Sequence, residues 1–241
     1  MASVVLGKCR IKYGDIATVL TEYKPFIYWD TCSMLYFISI IGRRKYDEYE
    51  WDLKLLDMIE KGQVYSVTSD LVLQEFNKHH DDLLNEDIVN EQKLSSLMTT
   101  YAGIIGSPQK EDIEKGAAAL VLSVKLEDMV QRLWANTYII DDDPIFRAKA
   151  HNRVLGCISP SSKKKQEYKD CYIWESYLAT CDHSPYPDMG CFMSENIKDY
   201  CGDGNTPLPD IANDIQKHHC NAAFDKTRLW VMLAKKIGMI S

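Results

Sequence analysis

The sequence predicts an α/β protein built on an open parallel sheet, and three observations lead to this fold class. Residues 26–30, FIYWD, form an apolar run of strand length that ends at an acid. The run lacks the alternation of a half-exposed strand, which is typical of a strand covered on both faces. Two helical stretches then lead to a second strand at 63–68, and a further helix follows it. This order is typical of parallel strands joined by crossover helices.

The rest of the chain is also predicted to consist of helices and strands. Residues 46–59 have apolar side chains at helical spacing, and Ser69 or Asp70 can cap the helix that begins near Leu71. Residues 81–150 contain no convincing strand, so we expect a single domain over residues 1–241 with a helical insertion at about 81–155. After a polar, basic loop, the predicted elements are a helix at 169–180, a strand at 190–194, a helix at 210–217, a strand at 222–224 and a helix at 226–237.

Composition and charge exclude several classes of protein. The hydrophobic share of 46% and the charged share of 26% exclude a mainly disordered chain. With 28 Lys and Arg against 35 Asp and Glu, the net charge of −7 excludes a uniformly basic nucleic-acid coat. It does not exclude a nuclease, because carboxylates that hold metal ions make the charge more negative. The usual dinucleotide, P-loop, α/β-hydrolase and zincin motifs are missing from the sequence.

The sequence also allows a prediction of the cellular compartment in which the protein resides. Eight scattered cysteines without a CxxC pair favour reduced thiols. We find neither an apolar run of membrane-spanning length nor a signal peptide. We therefore expect a cytoplasmic protein that does not bind a membrane.

Four acids occupy positions from which they could meet at one edge of the sheet. Asp30 ends the first strand, at the edge where ligands bind in open α/β sheets. Glu75 and Asp170 each lie on the apolar stripe of a helix, where a carboxylate is costly unless something pairs with it. Asp199 follows the strand at 190–194. Taken singly, each acid could instead cap a helix, belong to a turn or reach water at the edge of a stripe.

Three further residues could support such a site. Ser194 and Asn196 share a strand end with Asp199 and could orient ligands or waters. Glu175 lies about 140° around the helix from Asp170, so we expect it in solvent or at the rim of a site. Hard oxygen ligands clustered in this way suit Mg²⁺ or Mn²⁺ and not Zn²⁺. Paired ions of this kind stabilise the attacking and leaving oxygens of a phosphodiester.

The ordered motifs resemble those of a PIN domain, the metal-dependent ribonuclease fold. They are WDT with Asp30, LVLQEF with Glu75, KDCYIWESYL with Asp170 and SENIKDY with Asp199. The last two resemble a PIN-like subfamily in which K-D-x-x-I-W-E-x-x-L is followed by T-x-N-x-x-D-F. That subfamily also has a proline loop before the third acid and an L-P-D-I segment after the fourth, as here at 208–211. Asn196 stands where some PIN domains carry an extra acid.

The resemblance implies a three-layer α/β/α sandwich and endonucleolytic cleavage of RNA. It implies that Asp30, Glu75, Asp170 and Asp199 hold Mg²⁺ or Mn²⁺ and are the catalytic residues. The kinds of protein that carry this subfamily suggest a toxin or defence nuclease, with a homo-oligomer or a regulatory protein as a partner. Two alternatives stay open: a catalytically silent module that binds RNA or protein, and a structure-specific DNA nuclease in which the insertion forms an arch.

Two basic runs flank the proposed site and could supply phosphate contacts. One run leads directly to Asp170, and the other follows the helix after Asp30. Phosphate contacts of this kind are electrostatic and largely independent of sequence; a solvated loop is the alternative for each run. The residues with this predicted role are Lys163, Lys164, Lys165, Lys169, Arg43 and Arg44.

Overall fold

The computed structural model describes residues 8–36, 46–104 and 115–239, and these residues contain a six-stranded sheet in which every strand pair is parallel. The order of the strands across the sheet is β1-β4-β3-β2-β5-β6. The open parallel sheet that the sequence predicts is therefore confirmed. The strands are β1 (Cys9–Ile11), β2 (Phe26–Trp29), β3 (Tyr65–Ser69), β4 (Thr137–Ile140), β5 (Gly190–Met193) and β6 (Asn221–Ala223).

Helices join the strands and flank the sheet on both sides, which gives the three-layer α/β/α sandwich. Short 3₁₀ helices occur at Tyr13–Asp15, Pro187–Met189 and Asp203–Asn205. The α-helices of the described residues are α1 (Ile16–Val19), α2 (Thr31–Tyr36), α3 (Tyr46–Glu60), α4 (Asp70–Ile104), α5 (Lys115–Ala135), α6 (Pro144–Leu155), α7 (Tyr168–His183), α8 (Ile197–Tyr200), α9 (Pro209–Lys217) and α10 (Lys226–Lys236).

The central strands β2 and β5 are buried along their whole length. Their apolar runs suit this position, because a central strand of a parallel sheet is covered on both faces. Tyr28 and Trp29 point to opposite faces, and each finds a polar partner. The Tyr28 hydroxyl shares a hydrogen bond with Ser176 on α7, and Trp29 Nε1 donates to Ser66 Oγ at 2.8 Å. These bonds satisfy polar atoms that would otherwise be costly to bury.

One prediction about residues 81–150 is wrong. The sequence predicts no strand there, but Thr137–Ile140 forms β4 and pairs with both β1 and β3. A run of four residues, three of them apolar, that comes just after a helix cannot be distinguished from the end of that helix by periodicity alone. Helix α6, which follows β4, packs against α7. Residues 137–155 thus belong to the sheet and its covering layer, while the division into one domain with an insertion stays a prediction.

Helices α4 and α5 form the long helical part of the predicted insertion. Near the base of α4, the buried ring of His80 bridges the two helices, with its Nε2 atom 2.9 Å from Glu127 Oε2 of α5 and its Nδ1 atom 2.8 Å from Asp81 Oδ1. Phe76 also contacts the ring of Trp134 edge-on, at 5.1 Å between centroids. Within the described ranges, none of the helices is both long enough and apolar enough to span a bilayer.

We expect Gly190→Ala to destabilise the protein, because the ring of Phe26 on β2 occupies the space that a methyl group at Gly190 would need. Phe26 and Gly190 are paired across these strands, and a Cβ atom at Gly190 would overlap the buried Phe26 ring. Overpacking of this kind costs about 1–3 kcal/mol. Urea unfolding measures the loss, with Gly14→Ala as the control because a Cβ there meets nothing within 4 Å. Equal stability of the two variants would contradict the close approach.

Candidate metal centre

The predicted acids lie at the carboxyl-terminal edge of the sheet, where the strand order reverses. From β2, the sheet continues through β3 and β4 to one side and through β5 and β6 to the other. Asp30 directly follows β2, and Ser194 directly follows β5. Open parallel sheets bind ligands in the crevice at such a switch point.

Asp30 is buried, with 3% of its surface exposed, and three donors hold its carboxylate. The backbone N–H of Thr31 donates to Oδ1 at 2.7 Å, while the Ser194 hydroxyl and the Cys32 thiol donate to Oδ2 at 2.6 and 3.2 Å. Burial raises the pKa of Asp30, and the charge of Glu75 adds to this rise while the three hydrogen bonds oppose it. The carboxylate is therefore fixed in place but electrostatically unfavourable when ionised.

Glu75 is joined to Asp30 through Thr31. Helix α4 begins at Asp70, directly after β3, so that Glu75 lies in its second turn beside the start of α2. The Thr31 hydroxyl donates to Glu75 Oε2 at 2.8 Å, while the N–H of the same residue donates to Asp30. One threonine thus sets the positions of two carboxylates, one at the end of β2 and the other on α4.

Asp170 lies in the first turn of α7 with two other acids close by. Oxygen atoms of Glu167, Asp170 and Asp199 all lie within 4.8 Å of one another. Burial raises the pKa of Asp170 to about 8, and the negative charges of Asp30, Asp199 and Glu167 contribute to the rise, while Lys165 opposes it. So many carboxylates cannot all ionise at this distance without a compensating positive charge.

Glu167 is a member of this group that the sequence reasoning missed. It stands at the N-cap position of α7, one residue before the helix begins. In the sequence it falls in the predicted polar, basic loop before α7, where nothing connects its charge with Asp170. The signal that could have found it is its spacing, because residues three apart at a helix start lie on neighbouring positions of one face.

Ser194 and Asn196 connect Asp199 to Asp30 through hydrogen bonds. The Asn196 side chain donates to Asp199 Oδ2 at 2.8 Å, and its backbone N–H donates to Ser194 Oγ at 3.1 Å. Ser194 in turn donates to Asp30. Both residues therefore lie where they can orient the carboxylates, and their role in orienting ligands or waters stays a prediction.

Two of the predicted phosphate-binding lysines contact carboxylates of this group. Lys165 Nζ lies 3.0 and 2.9 Å from the two oxygens of Asp199 and 2.5 Å from Glu167, and Lys169 forms an ion pair with Glu75. These contacts supply positive charge to the acidic group. Lys163 and Lys164 are exposed in the same loop, whereas Arg43 and Arg44 lie outside the described residues.

Glu175 lies apart from the other acids, and the expectation that it faces solvent or the rim of the site is wrong. It is buried, and Arg153 of α6 donates to its Oε1 atom at 2.7 Å. Arg153 also donates to Asp214 Oδ2 of α9 at 2.6 Å. The reason is that α7 is buried from residue 171 to residue 181, so a rotation of about 140° from Asp170 leads to a neighbouring helix instead of to water.

We expect Asp170→Asn to weaken the pH dependence of stability in EDTA. The pKa of Asp170 is about 8 in the folded protein against 3.8 for the free group, so between these values the folded state keeps a proton that the unfolded state has lost. The free energy of unfolding of the wild type therefore falls as the pH rises across this range. Asp30, whose pKa is also raised, contributes in the same direction, so the slope should decrease without vanishing.

Urea unfolding at about pH 5 and pH 8 measures this slope. A matched control is Asp188→Asn, which neutralises an exposed acid just before β5, at the opposite edge of the sheet. The control should keep the slope of the wild type. An Asp170→Asn variant with the full slope would contradict the burial and crowding of this carboxyl group.

Comparison with protein families gives a match that covers the acidic edge. A PIN-domain family model matches residues 27–200, which include β2 from its second residue, β3 to β5 and all four predicted acids. The match is to the PIN domain as a whole, so the narrower subfamily stays a prediction. No curated protein and no solved structure matches the chain. PIN domains are generally nucleases that use divalent metal ions, and a match over this much of the sequence means that the chain belongs to the PIN domain family.

Proposed function

We propose that this protein is a metal-dependent endoribonuclease that hydrolyses phosphodiester bonds of RNA at the acidic edge of the sheet. The observation that carries the proposal is the group of carboxylate oxygens from Glu167, Asp170 and Asp199, all within 4.8 Å of one another. The buried Asp30 adds its charge beside them. Membership of the PIN domain family supports nuclease activity in general. The choice of RNA over DNA and the cytoplasmic location are part of the proposal, as is a role as a toxin or defence nuclease.

The donor set fits a hard divalent cation. The side chains at the site offer carboxylate oxygens, which Mg²⁺ and Mn²⁺ prefer over the nitrogen and sulfur donors typical of zinc sites. We assign the ions to Asp30, Glu75, Asp170 and Asp199, with Glu167 as an additional candidate ligand. Bound there, a divalent ion would lower the pKa of a water molecule and stabilise negative charge on a phosphodiester.

The side chains of this protein would contribute a fixed arrangement of charges. Thr31, Ser194 and Asn196 hold three of the carboxylates by hydrogen bonds that exist without substrate. Such preorganisation lowers the reorganisation that the site must undergo during reaction. Burial and the charge of Asp30 raise the pKa of the Cys32 thiol, so it stays neutral and is a poor nucleophile. Water is therefore the attacking group that we propose.

The lysine contacts favour one alternative, a catalytically silent PIN-like module. In that case the ammonium groups of Lys165 and Lys169 would neutralise the acids permanently, and a metal ion would not be required. Such a module could still bind RNA or a protein through the same edge. The two experiments that follow separate this alternative from the nuclease.

We expect Mn²⁺ or Mg²⁺ to raise the melting temperature of the wild type and to support cleavage of RNA. Binding to the folded state alone stabilises it by mass action. Asp30→Asn and Asp170→Asn should each abolish cleavage and reduce the thermal shift, because each removes a charge from the proposed centre while leaving a residue of similar shape. Thermal unfolding with and without Mn²⁺, together with cleavage assays that include EDTA controls, tests both effects.

Asp188→Asn is the control for these variants, since it makes the same chemical change at the opposite edge of the sheet. It should keep both cleavage and the thermal shift. A wild type that neither binds Mn²⁺ by calorimetry nor cleaves RNA would favour the silent module. An Asp170→Asn variant with full metal-dependent activity would remove Asp170 from the assignment.

We expect Lys165→Ala to tighten Mn²⁺ binding, because the Lys165 ammonium group occupies oxygens of Asp199 and Glu167 that a metal ion would use. An exposed ion pair is worth up to about 1 kcal/mol, so the affinity should rise by roughly two- to fivefold. The matched control is Lys163→Ala, which removes the same charge from an exposed position of the same loop. Calorimetric titration compares the two variants, and an equal effect of both would show that only the charge of the loop matters.

A further inference from the structure

A pocket of about 340 Å³ lies next to the acidic edge, on the side of β3 and β4. It is built from the same two helices as the proposed metal centre. On α4, Gln74 lines the pocket, and the next residue is Glu75; on α7, Tyr168 lines it, two residues before Asp170. The Lys169–Glu75 ion pair joins the two helices between these positions. The other walls include Asp70, Asp142, Arg147 and Tyr172.

The charged groups of this pocket are already paired with one another. Asp142 accepts from the Tyr172 hydroxyl at 2.7 Å and forms an ion pair with Arg147. Asp70 accepts from Gln74 Nε2 at 2.6 Å and lies 2.7 Å from an Arg10 nitrogen. Because each aspartate has an arginine partner, the pocket has neither a surplus of carboxylates for a cation nor uncommitted arginines for a phosphate.

The pocket instead offers an aromatic wall and polar edges. Tyr168 is 40% exposed, so a flat ligand can reach its side chain, while Tyr172 is buried and held by Asp142. Around the tyrosines stand an amide, two carboxylates and a guanidinium group. Stacking surfaces combined with such edge groups are the means by which proteins hold unpaired bases. The volume is at the lower end for small-ligand pockets, which suits a single base.

We infer that this pocket binds one unpaired base of a single-stranded RNA, stacked on Tyr168, next to the phosphate that is cleaved. The inference rests on the proposed nuclease function, since the scissile phosphate has to lie at the neighbouring acidic edge. A base within a duplex is already stacked on its neighbours and cannot enter the pocket without leaving the helix. The pocket therefore accepts the base of an unpaired nucleotide and excludes one that is held in a duplex.

An abasic scan tests this inference directly. A short single-stranded RNA is prepared as a series in which one abasic nucleotide is moved along the chain, and binding is measured in Ca²⁺ to suppress cleavage. For the wild type, one position in the series should weaken binding by about 5- to 150-fold, the equivalent of one base stack. Tyr168→Ala should bind every RNA of the series with similar affinity, because the stacking partner is already missing. Tyr168→Phe keeps the ring and should behave like the wild type.

The control is Tyr23→Ala, which removes an exposed tyrosine before β2, at the opposite edge of the sheet. This variant should still bind more weakly when the abasic nucleotide stands at the one sensitive position of the RNA, as the wild type does. A wild type without any sensitive position, or a Tyr168→Ala variant that keeps one, would overturn the inference. Cleavage of the unmodified RNA by the wild type in Mn²⁺ is measured separately: its failure, with the abasic pattern intact, overturns the nuclease function and leaves the base pocket standing.

Discussion

Mutual repulsion among carboxylates at one edge of a parallel sheet is the constraint on which the rest of the structure depends. Asp30 would be unfavourable in so buried a position without the donors from Thr31, Cys32 and Ser194. Its own backbone N–H also donates to the carbonyl of Met193, which ties the end of β2 to the end of β5. The acid group at this edge is therefore joined directly to the backbone of the two inner strands β2 and β5.

The protein tolerates this unfavourable charge because a dense aromatic core lies directly beneath it. Phe192 contacts the rings of Trp174, Tyr177 and Tyr200, and Tyr200 also stacks on Phe224. All of these side chains are fully buried, and aromatic groups contribute more burial and contact energy than other side chains. Functional sites commonly reduce stability, and the surrounding core has to compensate for it. In this molecule, Tyr200 of the compensating layer directly follows Asp199 in the chain.

The sequence predicts those features that depend on local pattern and misses those that depend on partners distant in the chain. Asp30 could be placed because an apolar strand stops at it, and the predicted positions of the strands at 63–68, 190–194 and 222–224 agree with the structure within two residues. The strand β4 was missed because its short run comes just after α5, and only its pairing with β1 and β3 distinguishes it from the end of that helix. Glu167 was missed because its role depends on where α7 begins. Glu175 was misjudged because only the packing of α6 decides whether that side of α7 meets water.

The position of the His80 contact has a mechanical consequence for the acidic edge. Helix α4 is 35 residues long, which corresponds to about 50 Å of continuous helix, and His80 pins it to α5 close to its beginning. Glu75 lies about 7 Å from this pivot along the axis, whereas the far end lies about 36 Å beyond it. For a rigid rotation of the helix about His80, a swing of the far end is reduced roughly fivefold at Glu75. The helix would then act as an unequal lever whose short arm carries Glu75, so that a displacement of the long arm reaches this carboxylate only in part.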